Sequence, residues 1–127
     1  ISLNQKEIEL TKQIIDVLQN KGFNTPNTLE LANELKCNEK KIIDLLKIEQ
    51  GNKNIIVINN GSIIFTRRNF EKLLHKITIY FSSNDSLSIK DFKILANTTR
   101  KYAVPLIEYL DKEKITFRIG NERKQYK

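Results

Sequence analysis

Apolar residues in the first half of this chain follow a helical period three times and then stop at a hairpin, and the same succession starts again about 61 residues later. Residues 4–20 carry Ile8, Ile15 and Leu18, and beside them Leu10, Ile14 and Val17, at helical spacing, with Lys21-Gly22 as a stop. Thr25-Pro26-Asn27 is a turn, after which Thr28 is expected to cap a short helix through Leu29, Leu31, Ala32 and Leu35. Asn38 is expected to cap a third helix with Ile42, Ile43, Leu45 and Leu46, ending near Gly51. Two β-rich runs, 55–58 and 62–65, then flank Asn59-Asn60-Gly61, whose residue types accept the positive φ of a tight hairpin.

The second round opens at Arg67 or Arg68 with a stripe of Phe70, Leu73, Leu74, Ile77 and Phe81. Residues 82–86 form a turn, and Ser88 is expected to cap a helix holding Ile89, Phe92 and Leu95. Thr98 or Thr99 opens another, with Ala103, Leu106, Ile107 and Leu110 on one face. Residues 115–119 read as a strand, Gly120-Asn121 as a turn and 124–126 as a return strand. An offset of 61 sets Leu31 on Phe92, Leu45 on Leu106, Leu46 on Ile107 and Ile58 on Ile119. Three helices closed by a hairpin make a winged helix, a form of helix-turn-helix. The expected fold class is therefore mainly α with small β-hairpins (α+β): two tandem winged-helix domains, residues 1–66 and 67–127.

The charge divides along the same line. Residues 1–66 hold eight lysines against eight acids, a net of zero, whereas residues 67–127 hold fourteen Lys or Arg against seven acids, a net of +7. Such segregation points to a polyanionic partner for the second domain, with the first as a neutral spacer. Arg100 and Lys101 sharpen the point. They stand at a helix start, where the macrodipole is already positive and a cation costs about 0.3–1 kcal/mol. The same helix end is a ready phosphate site, to which Thr98 and Thr99 add hydroxyl donors. A phosphate between them would make the cluster favourable.

Pro105 lies two turns into that helix and lacks the N–H that would bond the Lys101 carbonyl, so a bend or a partly independent first turn is expected. Whether a bend would aim Thr99, Arg100 and Lys101 at a ligand or be a tolerated kink is open from the residues alone. The wing adds Arg118, Arg123 and Lys124. Alternation puts Phe117 and Ile119 on one face and Arg118 on the other, so inward packing of the first pair would turn Arg118 outward. Tyr102 has two open roles, stacking on an unpaired base or burial one turn before Leu106, with its place beside the core face favouring burial. Tyr109 and Tyr126 read as core.

The run Thr99-Arg100-Lys101-Tyr102-Ala103-Val104-Pro105-Leu106-Ile107-Glu108-Tyr109-Leu110-Asp111, with Phe92 upstream and a basic strand after it, resembles the C-terminal segment of the bacterial selenocysteine-specific elongation factors. The likeness covers about residues 89–123; Leu106-Ile107 stands where the common pattern has Leu-Leu, and residues 1–66 agree only in architecture. The resemblance implies a row of winged helices whose last member grips the selenocysteine-insertion hairpin of an mRNA. GTP and aminoacyl-tRNA are implied to bind elsewhere in the full-length factor. By position, the RNA-facing candidates are Thr99, Arg100, Lys101 and Arg118, followed by Arg123 and Lys124 near the wing tip; Tyr102 joins them through its open stacking role.

The remaining residues bound the other possibilities. The sequence has no Gly-rich GxxxxGK[ST] loop, so nucleotide hydrolysis and its GTP are expected outside these residues, and no catalytic role or cofactor is expected within them. One histidine, His75, and one cysteine, Cys37, are too few for a typical zinc site, and the lone cysteine fits a reducing cytoplasm. No apolar run approaches the roughly 20 residues that span a bilayer. The chain opens on Ile1 and contains no Met, so it is expected to be a piece of a longer protein; its Lys, Ile and Asn content fits an AT-rich genome. The expected partners are an mRNA stem-loop and, through the longer factor, the ribosome, with no membrane; without a dimerisation helix the chain is expected to be a monomer. The competing classes are a winged-helix DNA-binding transcription regulator and a protein-interaction module for an acidic partner.

Overall fold

The computed structural model describes residues 3–126, which form two compact units, one up to Asn69 and one from Phe70. With Arg67 and Arg68 falling on the first side of that line, the sequence charge is +2 for residues 1–69 and +5 for residues 70–127. The elements run α1 (Gln5–Lys21), α2 (Thr28–Leu35), α3 (Glu39–Gly51), β1 (Ile55–Ile58), a 3₁₀ turn (Asn59–Gly61), β2 (Ile63–Thr66) and α4 (Arg67–Ser83). They continue with β3 (Leu87–Ser88), α5 (Ile89–Ala96), α6 (Arg100–Lys112), β4 (Thr116–Ile119) and β5 (Glu122–Gln125). Three helices followed by a hairpin thus recur, and the α+β winged-helix expectation is met.

In the first unit Ile14 and Leu18 of α1 meet Leu31 and Ala32 of α2, Ile42, Leu45 and Leu46 of α3, and Ile55 and Ile64 of the hairpin in one core. Two capping boxes start its first two helices. The Asn4 side chain accepts the Glu7 N–H while Glu7 accepts the Asn4 N–H, and Asn27 and Glu30 do the same. The cap of α2 is therefore Asn27 and not Thr28, because only with Asn27 outside the helix does Glu30 reach back from its third position. Thr28, freed from capping, donates to Glu39 at the start of α3 at 2.7 Å. Glu7 also accepts from the Lys41 ammonium, and this bond with the Asn4 N–H holds its carboxyl below the ordinary value. The contribution of this contact is present above the unfolded pKa of Glu7 and fades as pH falls through the folded one.

β1 and β2 pair antiparallel from Ile55↔Thr66 to Ile58↔Ile63, with Ser62 taken into the turn by bonds to Asn59, which moves β2 one residue later than its apolar run suggests. In β1 and β2 only Val57 falls short of full burial. Thr66 leads directly into α4, accepting the Asn69 N–H at 3.1 Å as a helix cap and donating to the Gln19 side chain at 2.7 Å.

The second unit repeats the backbone of the first from its second helix to its first wing strand. An offset of 61 carries α2 onto α5, α3 onto α6 and β1 onto β4 with identical bounds. It also carries the left-handed residues Lys36 onto Asn97, Lys53 onto Lys114 and Asn59 onto Gly120. Repeated turns, more than repeated core residues, are what the two halves share. Lysine at φ of 55–64° is strained, since a Cβ there crowds the following carbonyl. Lys36→Gly, at the left-handed end of α2, should therefore raise stability by about 0.5–1 kcal/mol in a denaturant titration. An unchanged midpoint would mean that the glycine's added freedom in the unfolded chain cancels the relief.

The second core gathers Phe70, Leu73 and Ile77 of α4, Leu87, Phe92 and Ala96 around α5, and Ala103, Leu106, Ile107 and Leu110 of α6. Its hairpin acquires a third strand that hydropathy does not signal: Leu87 pairs with Arg123 and Ser88 with Glu122, giving the order β3-β5-β4. Ser88 then turns from strand to cap, accepting the Asp91 N–H at 3.1 Å. Tyr80 of α4 donates from between Asp91 and the Ser86 carbonyl, and burial with the adjacent Asp91 pushes its hydroxyl pKa up. α6 is one helix from Arg100 to Lys112 with Pro105 inside it, so the proline, which leaves the Lys101 carbonyl without its helical N–H partner, does not end the helix.

Candidate nucleic-acid interface

The two units build the start of their third helix differently on the same backbone. In α3 the Asn38 side chain accepts the Lys40 N–H at 2.7 Å and the first turn opens with Glu39. In α6 the equivalent cap is Thr99, which makes no side-chain capping bond, and the first turn opens with Arg100 and Lys101, both exposed. The amide cap and the acid at 38 and 39 of one unit thus give way to a hydroxyl and Arg100 in the other, while a lysine follows in both, Lys40 and Lys101.

The wings differ just as sharply. Ile56, Ile58, Ile63 and Phe65 of the first are buried, leaving little side chain to offer a ligand. The second shows its side chains to solvent. Arg118 is exposed, and its Nε donates to the Gly120 carbonyl at 2.8 Å, which folds the side chain over the turn. Arg118 and Arg123 are direct cross-strand partners and so share a face of the hairpin. That face and the start of α6 enclose a groove of about 380 Å³ lined by Ile89, Arg100, Val104, Ile107, Glu108, Arg118, Asn121 and Arg123. Three of the arginines singled out in the sequence, separated by up to 23 positions, thus meet around one space.

Arg123 enters it in a way the sequence does not announce. It is 7% exposed, and its Nε and Nη2 donate to Asp111 at 3.1 and 2.9 Å, while Thr116 donates to the other Asp111 oxygen at 2.6 Å. Its guanidinium is an internal strut with one side on the groove, not the free wing-tip cation expected from its neighbours. Lys101 sits 5.3 Å from the centre of the Tyr102 ring, and Tyr102 is half-buried, between its two open roles.

Lys124 belongs to the other face of the wing. There it lines a second cavity, of about 360 Å³, with Phe81, Asn84, Asp85, Phe117, Ile119 and Gln125. Phe117 and Ile119 are 40% and 55% exposed, which overturns their expected inward packing, and Tyr126 is exposed beside Phe117 instead of lying in the core. The reason is polar: the inward face of the hairpin is taken by Thr116 and Arg123, which Asp111 demands. Tyr109 does pack inward, edge-on to Phe70 at 5.7 Å. Arg67 is held at the first hairpin by its N–H to the Asn54 carbonyl and its guanidinium to the Lys53 carbonyl. Residues the sequence reading passed over are Glu108 and Asn121 in the groove and Asp111 behind it; a carboxylate in the last turn of a helix, where cations are preferred, is the one signal that marks Asp111. Among the described residues no three His, Cys, Asp or Glu side chains gather as a metal site, and no helix is long and apolar enough to cross a membrane.

Residues 79–125 match the family model described as elongation factor SelB, winged helix. A selenocysteine-specific elongation factor of Desulfomicrobium baculatum is 30% identical over 104 residues, covering 80% of this chain; the chain spans 16% of that relative's length. Among solved structures, the mRNA-binding domain of elongation factor SelB from E. coli, determined in complex with SECIS RNA, superposes with a TM-score of 0.81 at 17% identity, over 98% of this chain and 100% of that one. The crystal structure of a bacterial selenocysteine-specific elongation factor, EF-Sec, gives 0.76 at 22% identity, over 100% of this chain and 20% of that one.

Proposed function

We propose that this chain, whose second unit carries a SelB-type winged helix, is the RNA-binding part of a selenocysteine-specific elongation factor, where it grips the selenocysteine-insertion hairpin of an mRNA. The observation that carries the reading is the groove in which Arg100, at an uncapped helix start, faces Arg118 and Arg123 of the wing. Arg100 and Arg118, exposed beside the open N–H groups of the helix start, outnumber Glu108 there, and with the Asp111-paired Arg123 next to them they suit a phosphate backbone better than a neutral ligand. Thr99 and Lys101 extend that surface along the helix start, and Tyr102 offers an aromatic edge to an unpaired base. Lys124, across the wing, is left to a peripheral phosphate contact. The E. coli domain with its RNA supports the same assignment by overall fold.

The reading assigns these residues binding and no catalytic step. In it the first unit is a spacer and the chain acts as a monomer in the cytoplasm, tethering the rest of the factor, with its GTP chemistry, to a ribosome halted at the recoded codon. The test is a titration of the 127-residue chain with an RNA hairpin of the selenocysteine-insertion type and with duplex DNA of equal length. The hairpin should bind more tightly, and four to six phosphate contacts should give a slope of log K against log salt of roughly −3 to −5. Tighter binding to the DNA would favour a transcription regulator, and a flat salt response a protein-interaction module.

A further inference from the structure

We infer that Asp111 is a positioning residue for RNA recognition: it holds the wing so that Arg118 and Arg123 face the groove side by side. The inference rests on the RNA-binding reading above. Asp111 stands in the last turn of α6, where a carboxylate opposes the helix dipole. Its oxygens take the Thr116 hydroxyl from β4 and a two-pronged grip from Arg123 on β5, so one side chain ties both wing strands to the helix that bears Arg100. Arg118 and Arg123 are directly opposed across the hairpin, an arrangement of like charges that is unfavourable unless one of them is neutralised. Asp111 supplies that neutralisation from behind. Without it the two guanidinium groups repel, and the face they share with Arg100 opens.

The sign of the effect separates this role from plain electrostatics. Asp111→Asn removes a negative charge, so a partner that senses only net charge should bind the variant more tightly. If Asp111 positions the wing, the hairpin should instead bind about tenfold more weakly, while affinity for a fully paired RNA duplex of equal length stays the same or rises. The experiment titrates the full chain and the variant with both RNAs at matched salt, counting only folded protein. In an Arg123→Gln background the Asp111→Asn change should have no further effect on the hairpin, because its route is gone. Unchanged or tighter hairpin binding by Asp111→Asn overturns the inference. If that variant does not fold, Thr116→Val, which removes one of the bonds that orient Asp111 and no charge, decides: a loss confined to the hairpin supports the role and equal binding overturns it. Failure of the unaltered chain to prefer the hairpin at all would instead strike the RNA-binding reading itself.

Discussion

Arg123→Ala lowers the melting temperature of the second unit by roughly 10–20 °C. Removing one partner of a buried pair costs about 3–5 kcal/mol, because the other charge is left without compensation. Here the side chains are 8% and 24% exposed, and Asp111 keeps the Thr116 hydroxyl, so about 2–3 kcal/mol is the expected loss. For a unit of this size each kcal/mol shifts the midpoint by about 4–8 °C. The measurement has a built-in reporter. All four tyrosines lie beyond residue 69 and the chain has no tryptophan, so tyrosine fluorescence on heating follows the second unit alone. A midpoint within about 3 °C of the unaltered chain, less than one kcal/mol on the same scale, would show that the strut is dispensable and that Arg123 is a surface cation after all.

Arg100→Glu combined with Arg118→Glu abolishes the proposed RNA binding while leaving the fold intact. Both side chains are exposed, and an acid at the start of α6 suits the helix dipole, so the free protein should be as stable or slightly more so. Each lost phosphate contact weakens binding, and each reversal adds repulsion; together they should cost about 3–4 kcal/mol, or roughly 10²- to 10³-fold in affinity. The control is Lys40→Glu with Lys47→Glu, an equal change of charge at exposed sites of the first unit. If that pair weakens binding as much, the partner responds to net charge and the groove has no special standing.

These two predictions mark how far sequence reading reached. The elements were legible because their apolar spacing is regular and their ends carry Asn, Ser, Thr and Gly. β3 was not, because two residues, Leu87 and Ser88, are too few to show a period and Ser88 doubles as a cap. The alternation of Phe117, Arg118 and Ile119 was legible too, but a period of two does not say which face turns inward. That choice was made by Asp111, whose partners Thr116 and Arg123 occupy the inner side. Arg100 and Arg118 were found by their charge and setting. Arg123 was counted with them for its charge alone, since an acid twelve positions away gives no local sign of pairing.

Glycine is scarce at the left-handed turns the two units share; Lys36, Lys53, Asn59, Asn97 and Lys114 stand at five of six of these paired positions. Asparagine bears the left-handed region through its short polar side chain, whereas lysine gains nothing there, so Lys36, Lys53 and Lys114 carry the strain. These turns keep their shape against the preference of the residue that fills them: the helices and strands on either side set the turn, and the residue yields to it.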